Sequence, residues 1–206
     1  MVVPPAGCQA LFGAAWGPMQ QFAAMLASRG DLLGVIGPGE VDRLWERHLV
    51  NSAAVVGFLP ATGSVIDLGS GAGFPGVVVA AMRPDLEVEL VEPMERRVSW
   101  LESVVGELGL ENTVVTRARA EELSGMREAD AVAVRALAPM RGLAPLVGGL
   151  LATGGTMAAL KGRRVAAEVA VAQKALVKAG LRRVSVNEVQ MLSGGESTWV
   201  VTAVKR

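Results

Sequence analysis

Seven consecutive residues constrain this chain more than any other feature: Asp67-Leu68-Gly69-Ser70-Gly71-Ala72-Gly73, which follow the apolar run Val65-Ile66 and precede a helical stretch from Pro75 to Met82. A strand that ends in a glycine-rich turn and passes into a helix opens a βαβ unit. The same grammar continues downstream. Residues 64–68, 87–91, 113–116, 129–134 and 156–160 read as strands, and helical patterns near 75–82, 95–108, 140–151 and 165–179 lie between them. Such alternation predicts a parallel sheet with right-handed crossovers. Two further strand-like runs, near 183–189 and 199–204, have no helix between them and predict an antiparallel hairpin at one sheet edge. The expected fold is α/β, a Rossmann-like, seven-stranded, mostly parallel sheet with helices on both faces.

Residues 1–60 are different. Phe12, Ala15, Trp16, Met19, Phe22 and Leu26 recur at helical spacing up to Gly30, and a second stripe runs from Val41 through Trp45, His48, Leu49 and Ser52 to Val56, between the Gly37-Pro38-Gly39 break and Pro60. This predicts a helical extension, 1–60, packed on a single unit, 61–206, and covering its substrate side. With 51% hydrophobic and 19% charged residues, the chain has the balance of a packed globule, which excludes disorder. The 20 basic and 20 acidic residues cancel, so any contact with nucleic acid has to come from a local patch. Cys8 and His48 are the only residues of their types, which excludes a disulfide framework and a zinc cluster, and no metal is expected. The chain shows neither a leader pattern nor an apolar run of roughly 20 residues, so a cytoplasmic protein without membrane contact, and a monomer, is expected.

The glycine-rich turn admits two ligands. Gly71-x-Gly73-x-x-Gly76 fits the dinucleotide fingerprint, and Glu92, at the end of the next strand, can accept hydrogen bonds from ribose hydroxyls of either cofactor. Asp67 and Gly69 come first, however, giving D-x-G-x-G-x-G, in which an acid at the strand end can orient a charged amino-acid ligand. The chain then supplies no second catalytic domain and closes on a hairpin. Both points favour S-adenosylmethionine over NAD, with Asp67 read as organising the ligand and a turn-capping carboxylate as its alternative.

Six blocks carry a resemblance: Arg47-His48-Leu49-Val50-Asn51-Ser52, Val65 through Gly76, Glu95-Arg96-Arg97, Arg119-Ala120-Glu121, Val134-Arg135-Ala136 and Leu160-Lys161-Gly162. In these the chain resembles, over nearly all its length, the bacterial 16S ribosomal RNA (guanine-N7) methyltransferases, also called glucose-inhibited division protein B. The resemblance implies cofactor contacts at Gly69, Phe74, Ala120, Glu121 and Arg135, Glu92 in the ribose position, and a guanine in the 530 loop of 16S ribosomal RNA, within the small subunit or an assembly intermediate, as target. Gly71 and Gly73 complete the expected cofactor loop. Asn51 stands where many members carry an acid and Gly39 where a basic residue is common; neither change touches that loop.

The chemistry narrows accordingly. Amino-group methylation of adenine or cytosine generally uses an [Asn/Asp/Ser]-Pro-Pro-aromatic loop after the fourth strand, where this chain has Val134-Arg135-Ala136-Leu137-Ala138-Pro139, and C5 methylation needs a cysteine nucleophile, whereas Cys8 lies far from the expected site. Guanine N7 has a lone pair and no proton to lose, so positioning and desolvation suffice. Arg135 is the expected catalytic residue. Arg119, Lys161, Arg163 and Arg164 are expected to meet RNA, with ion pairs or a solvated helix start as the bland reading. His48, on an apolar stripe, reads as a hydrogen-bonded structural histidine, and Trp16, Trp45 and Trp100 as packing residues. An NAD(P)-dependent oxidoreductase and a non-catalytic RNA-binding or assembly module remain the alternative functions.

Overall fold

Valine- and alanine-rich runs buried on both faces build the centre of the molecule, as parallel strands covered on both sides require. The computed structural model describes residues 3–30, 33–37 and 39–206, so Pro38 of the expected Gly37-Pro38-Gly39 break lies outside the described residues. Its elements are, in order, α1 (Cys8–Phe12), α2 (Trp16–Met25), α3 (Asn51–Ala53), β1 (Gly63–Leu68), α4 (Gly76–Met82), β2 (Leu86–Val91), α5 (Glu95–Leu108), β3 (Thr113–Thr116), α6 (Ala120–Leu123), β4 (Ala129–Arg135), α7 (Met140–Gly148), β5 (Leu151–Lys161), α8 (Val165–Lys178), β6 (Leu181–Val189) and β7 (Thr198–Lys205). The seven strands form one sheet in the order β3-β2-β1-β4-β5-β7-β6. β1 pairs in parallel with β2 and β4, and β7 runs antiparallel between β5 and β6. The chain winds outward from β1 through β2 to β3 and then returns to the other flank of β1 at β4, so the sheet's topological switch point lies between β1 and β4.

The expected first and second helices are broken. Gly13, at φ +51°, ends α1, and a short 3₁₀ turn, Gly13–Ala15, leads into α2. The second stripe forms a 3₁₀ turn at Val41–Arg43, a π-wide stretch at Leu44–Val50, α3, and another 3₁₀ turn at Val56–Phe58. Its apolar face is nevertheless buried: Leu44, Trp45 and Leu49 join Met19, Phe22, Val77 and Leu90 in one cluster against the sheet. Helix α7 stops at Gly148, short of the expected 151, and Leu151 instead opens β5, paired with Ala129. Two adjacent glycines favour that stop, and a Cβ at 148 would stand only 2.6 Å from the Ala179 carbonyl oxygen, where α7 passes the end of α8. The short α6 was not anticipated. Helix α5 runs over the expected 95–108, because Gly109 at φ +63° supplies the left-handed stop.

Candidate functional site

At the switch point the loops following β1, β2, β4 and β5 surround a cavity of about 830 Å³, with Ile36, Glu40, Arg47, His48 and Asn51 of the N-terminal extension on the remaining side. The volume suits a nucleoside-sized ligand. Gly69 and Gly71 turn with positive φ, +73° and +59°, and the backbone amides of Gly69 and Ser70 donate to the Val91 carbonyl, which pins the loop to β2. Trp100 of α5 holds its far side, the indole Nε1–H donating to the Ala72 carbonyl at 2.9 Å. Glu92 is buried and joins the two loops: Oε2 accepts from the Gly71 amide and Oε1 from the Met94 amide, both at 3.0 Å. Each carboxylate oxygen keeps a further acceptor site.

Opposite Glu92, three side chains from distant parts of the chain interlock. The Arg135 guanidinium lies 4.7 Å from the centre of the Phe74 ring, donates through Nη1 to the Arg47 carbonyl at 3.1 Å, and meets His48 Nδ1 through Nη2 at 2.7 Å. His48 stacks on Phe74 at 5.2 Å, and its Nε2 is 2.7 Å from Glu40 Oε2. Burial lowers the Arg135 pKa to about 10, against the pull of Asp67, so the group remains a cation at neutral pH. Burial and the Arg135 charge also lower the His48 pKa, while Glu40 draws it upward.

Gly69, Gly71, Phe74, Glu92, Arg135 and Lys161 thus meet around one cavity. Asp67 does not: it is fully buried, its Oδ2 accepts the Gly76 amide at 2.9 Å, and its Oδ1 has no partner among the described residues. It holds the turn into α4. Gly73 serves the same turn, since a Cβ there would stand 2.7 Å from Val77. Ala120 is buried in the core cluster on the other side of the sheet, Glu121 and Arg119 are exposed, and none of the three lines the cavity. Lys161 Nζ donates to the Ala138 carbonyl and to Glu168 Oε1, both at 2.7 Å, tying the loop after β4 to α8. Arg163 and Arg164 are exposed between β5 and α8. Trp45 and Trp100 are buried, as their helical spacing suggests.

Residues not named from the sequence as ligand contacts also line the cavity: Glu40, Asn51, Ser70 and the half-exposed Met94 and Leu137. Arg97 stands on the wall with a buried Nε that has no partner among the described residues. Its place in the Glu95-Arg96-Arg97 block was the one signal for it; nothing local marked Glu40.

Comparison with known proteins gives these features a context. A family model described as GidB, rRNA small subunit methyltransferase G, matches residues 17–193. The ribosomal RNA small subunit methyltransferase G of Beutenbergia cavernae is 46% identical over 201 residues, 98% of this chain and 95% of that protein. The protein of the same name from Thermobifida fusca is 44% identical over 204 residues, covering 99% and 85%. Among solved structures, Aeropyrum pernix fibrillarin with natively bound S-adenosyl-L-methionine superimposes with a TM-score of 0.57 at 19% identity, over 76% of each chain. M. jannaschii TYW2 in complex with AdoMet does so with a TM-score of 0.58 at 14% identity, over 78% of this chain and 76% of that one. The structural likenesses show the class I methyltransferase fold. The sequence matches, which run along nearly the whole chain, show that it belongs to the GidB family, rRNA small subunit methyltransferase G.

Proposed function

We propose that this chain transfers the methyl group of S-adenosylmethionine to N7 of a guanine in the 530 loop of 16S ribosomal RNA. The observation that carries the reading is the cavity at the switch point, in which an open glycine turn faces a buried acid on one side and a fixed cation on the other. The residues fit the donor. Among the described residues, a Cβ at Gly71 would meet nothing nearer than the Gly69 carbonyl oxygen at 3.8 Å, so the turn is open to close approach, and Arg97 Nε, which has no partner among them, is a polar group that a ligand could satisfy.

When bound, S-adenosylmethionine supplies a methyl carbon on a positively charged sulfur, which the N7 lone pair takes while the bonding electrons stay on sulfur. Glu92, its orientation set by two backbone amides, accepts the ribose hydroxyls. Arg135, held over Phe74, offers its guanidinium to the carboxylate at the amino-acid end, and an anion there offsets the burial of the cation. The reaction asks for no proton acceptor. This agrees with the surroundings: Cys8 is in the core with its thiol pKa pushed up by burial, and both His48 ring nitrogens are engaged. Arg163 and Arg164, exposed between β5 and α8, offer a basic rim for RNA. Among the described residues no helix is long and apolar enough to cross a membrane.

The test is mass mapping of small-subunit RNA isolated from cells lacking the protein, before and after incubation with the protein and labelled S-adenosylmethionine. One added methyl on a guanine of the 530 loop, removable as a 7-methylguanine, is the expected result. Label on another nucleotide, or binding of NAD in place of the methyl donor, would refute the assignment.

A further inference from the structure

His48 is bound on both ring nitrogens, and its partners determine which of them carries the proton. Arginine has only donors, so the 2.7 Å contact between Arg135 Nη2 and His48 Nδ1 requires Nδ1 to accept. The proton is then on Nε2 and is donated to Glu40 Oε2, also at 2.7 Å. Glu40, His48 and Arg135 form a directed chain from the N-terminal extension to the end of β4. Phe74 lies against the last two members of that chain, stacked on the imidazole and beneath the guanidinium.

We propose that His48 is a positioning residue: as the neutral Nε2–H tautomer it holds Arg135 against the cavity wall, and its protonation releases that arginine. A proton on Nδ1 would set N–H against N–H and one cation against another, at a distance set by the stacking of both groups on Phe74. The charged groups that face the imidazole are Glu40 from the preceding turn, Arg47 from its own stretch and Arg135 from β4, with Asp67 buried behind Arg135. Arg47 and Glu40 are themselves 3.5 Å apart, so Glu40 is shared and cannot neutralise a second cation fully. The Arg47 carbonyl, which the π-wide backbone leaves to Arg135 Nη1, is the other half of the clamp. The inference rests on the proposed function only in taking Arg135 to face the methyl donor.

Because His48 is the only histidine, protein without a histidine tag and labelled with ¹⁵N-histidine reports on this ring alone. Long-range ¹H–¹⁵N spectra at pH 7.5 should show the Nε2–H tautomer. The titration midpoint should lie below 6.5, the ordinary histidine value, and should rise in Arg135→Ala. These spectra involve no methyl transfer, so they stand even if the acceptor base is reassigned. In single-turnover assays the rate should fall on acidification with the same midpoint. His48→Leu should lose about tenfold or more at pH 7.5. His48→Asn keeps an acceptor near the Nδ1 position but cannot be protonated there; it should recover most of that loss and remove the acid limb. An Nδ1–H tautomer, a midpoint unmoved by Arg135→Ala, or an acid limb that persists in His48→Asn would overturn the proposal, whether or not His48→Leu folds.

Discussion

Asp67 is a fully buried acid that braces the turn into α4. Burial raises its pKa from 3.8 to about 7, against the pull of the Gly76 amide and Arg135. An acid that ionises less readily in the folded chain makes the folded chain the stronger proton binder between those two values. Its contribution to stability is therefore full at low pH, falls as pH climbs from 3.8 toward about 7, and levels off above. Asp67→Asn keeps an oxygen for the Gly76 amide and removes the titration. The stability difference between wild type and variant, from urea denaturation at closely spaced pH values, should shift in favour of the variant by a few kcal/mol, on the order of one kcal/mol per unit, between pH 4 and 7. A difference that is flat over that interval would mean that Asp67 is an ordinary carboxylate. Sequence alone could not show this environment: the acid occupies the same place in D-x-G-x-G-x-G whatever it meets, and its complete burial and its bond to the Gly76 amide appear only in the fold.

Elements, rather than single residues, hold the glycine turn in shape, and α5 contributes most directly through Trp100. Trp100→Phe keeps an aromatic ring in the core but leaves the buried Ala72 carbonyl without its donor. A lost bond of about 1 kcal/mol should lower the melting temperature by roughly 2–4 °C and weaken S-adenosylmethionine binding about fivefold in isothermal titration. An unchanged affinity would show that the turn keeps its shape without α5. This helix was legible at both ends, since an amphipathic period and a terminal glycine are local signals. The stretch at 44–50 was not. Its apolar stripe was correctly read as buried, but its widening coincides with a carbonyl that bonds to Arg135, a partner 88 residues away. For the same reason the bonds of Lys161 were not legible: a lysine after a strand looks solvated until Glu168 and the Ala138 carbonyl are seen beside it.

For the molecule as a whole, zero net charge means that RNA must be met by a few placed cations. With Lys161 committed internally, the rim beyond β5 reduces to Arg163 and Arg164. Replacing both with alanine should leave S-adenosylmethionine affinity intact, since neither lines the cavity, and reduce the log–log salt slope of RNA binding by about 0.7–0.9 for each phosphate that is no longer neutralised. A wild-type slope in the double variant would move the rim to Arg43 and Arg47. The strand order carries a different consequence, one for biosynthesis. β7 follows every other strand in sequence yet lies between β5 and β6. As the polypeptide emerges, β5 stays a bare edge and β6 has no neighbour until Thr198–Lys205 has appeared, so premature termination anywhere upstream leaves a nascent chain with an unpaired strand edge open to aggregation.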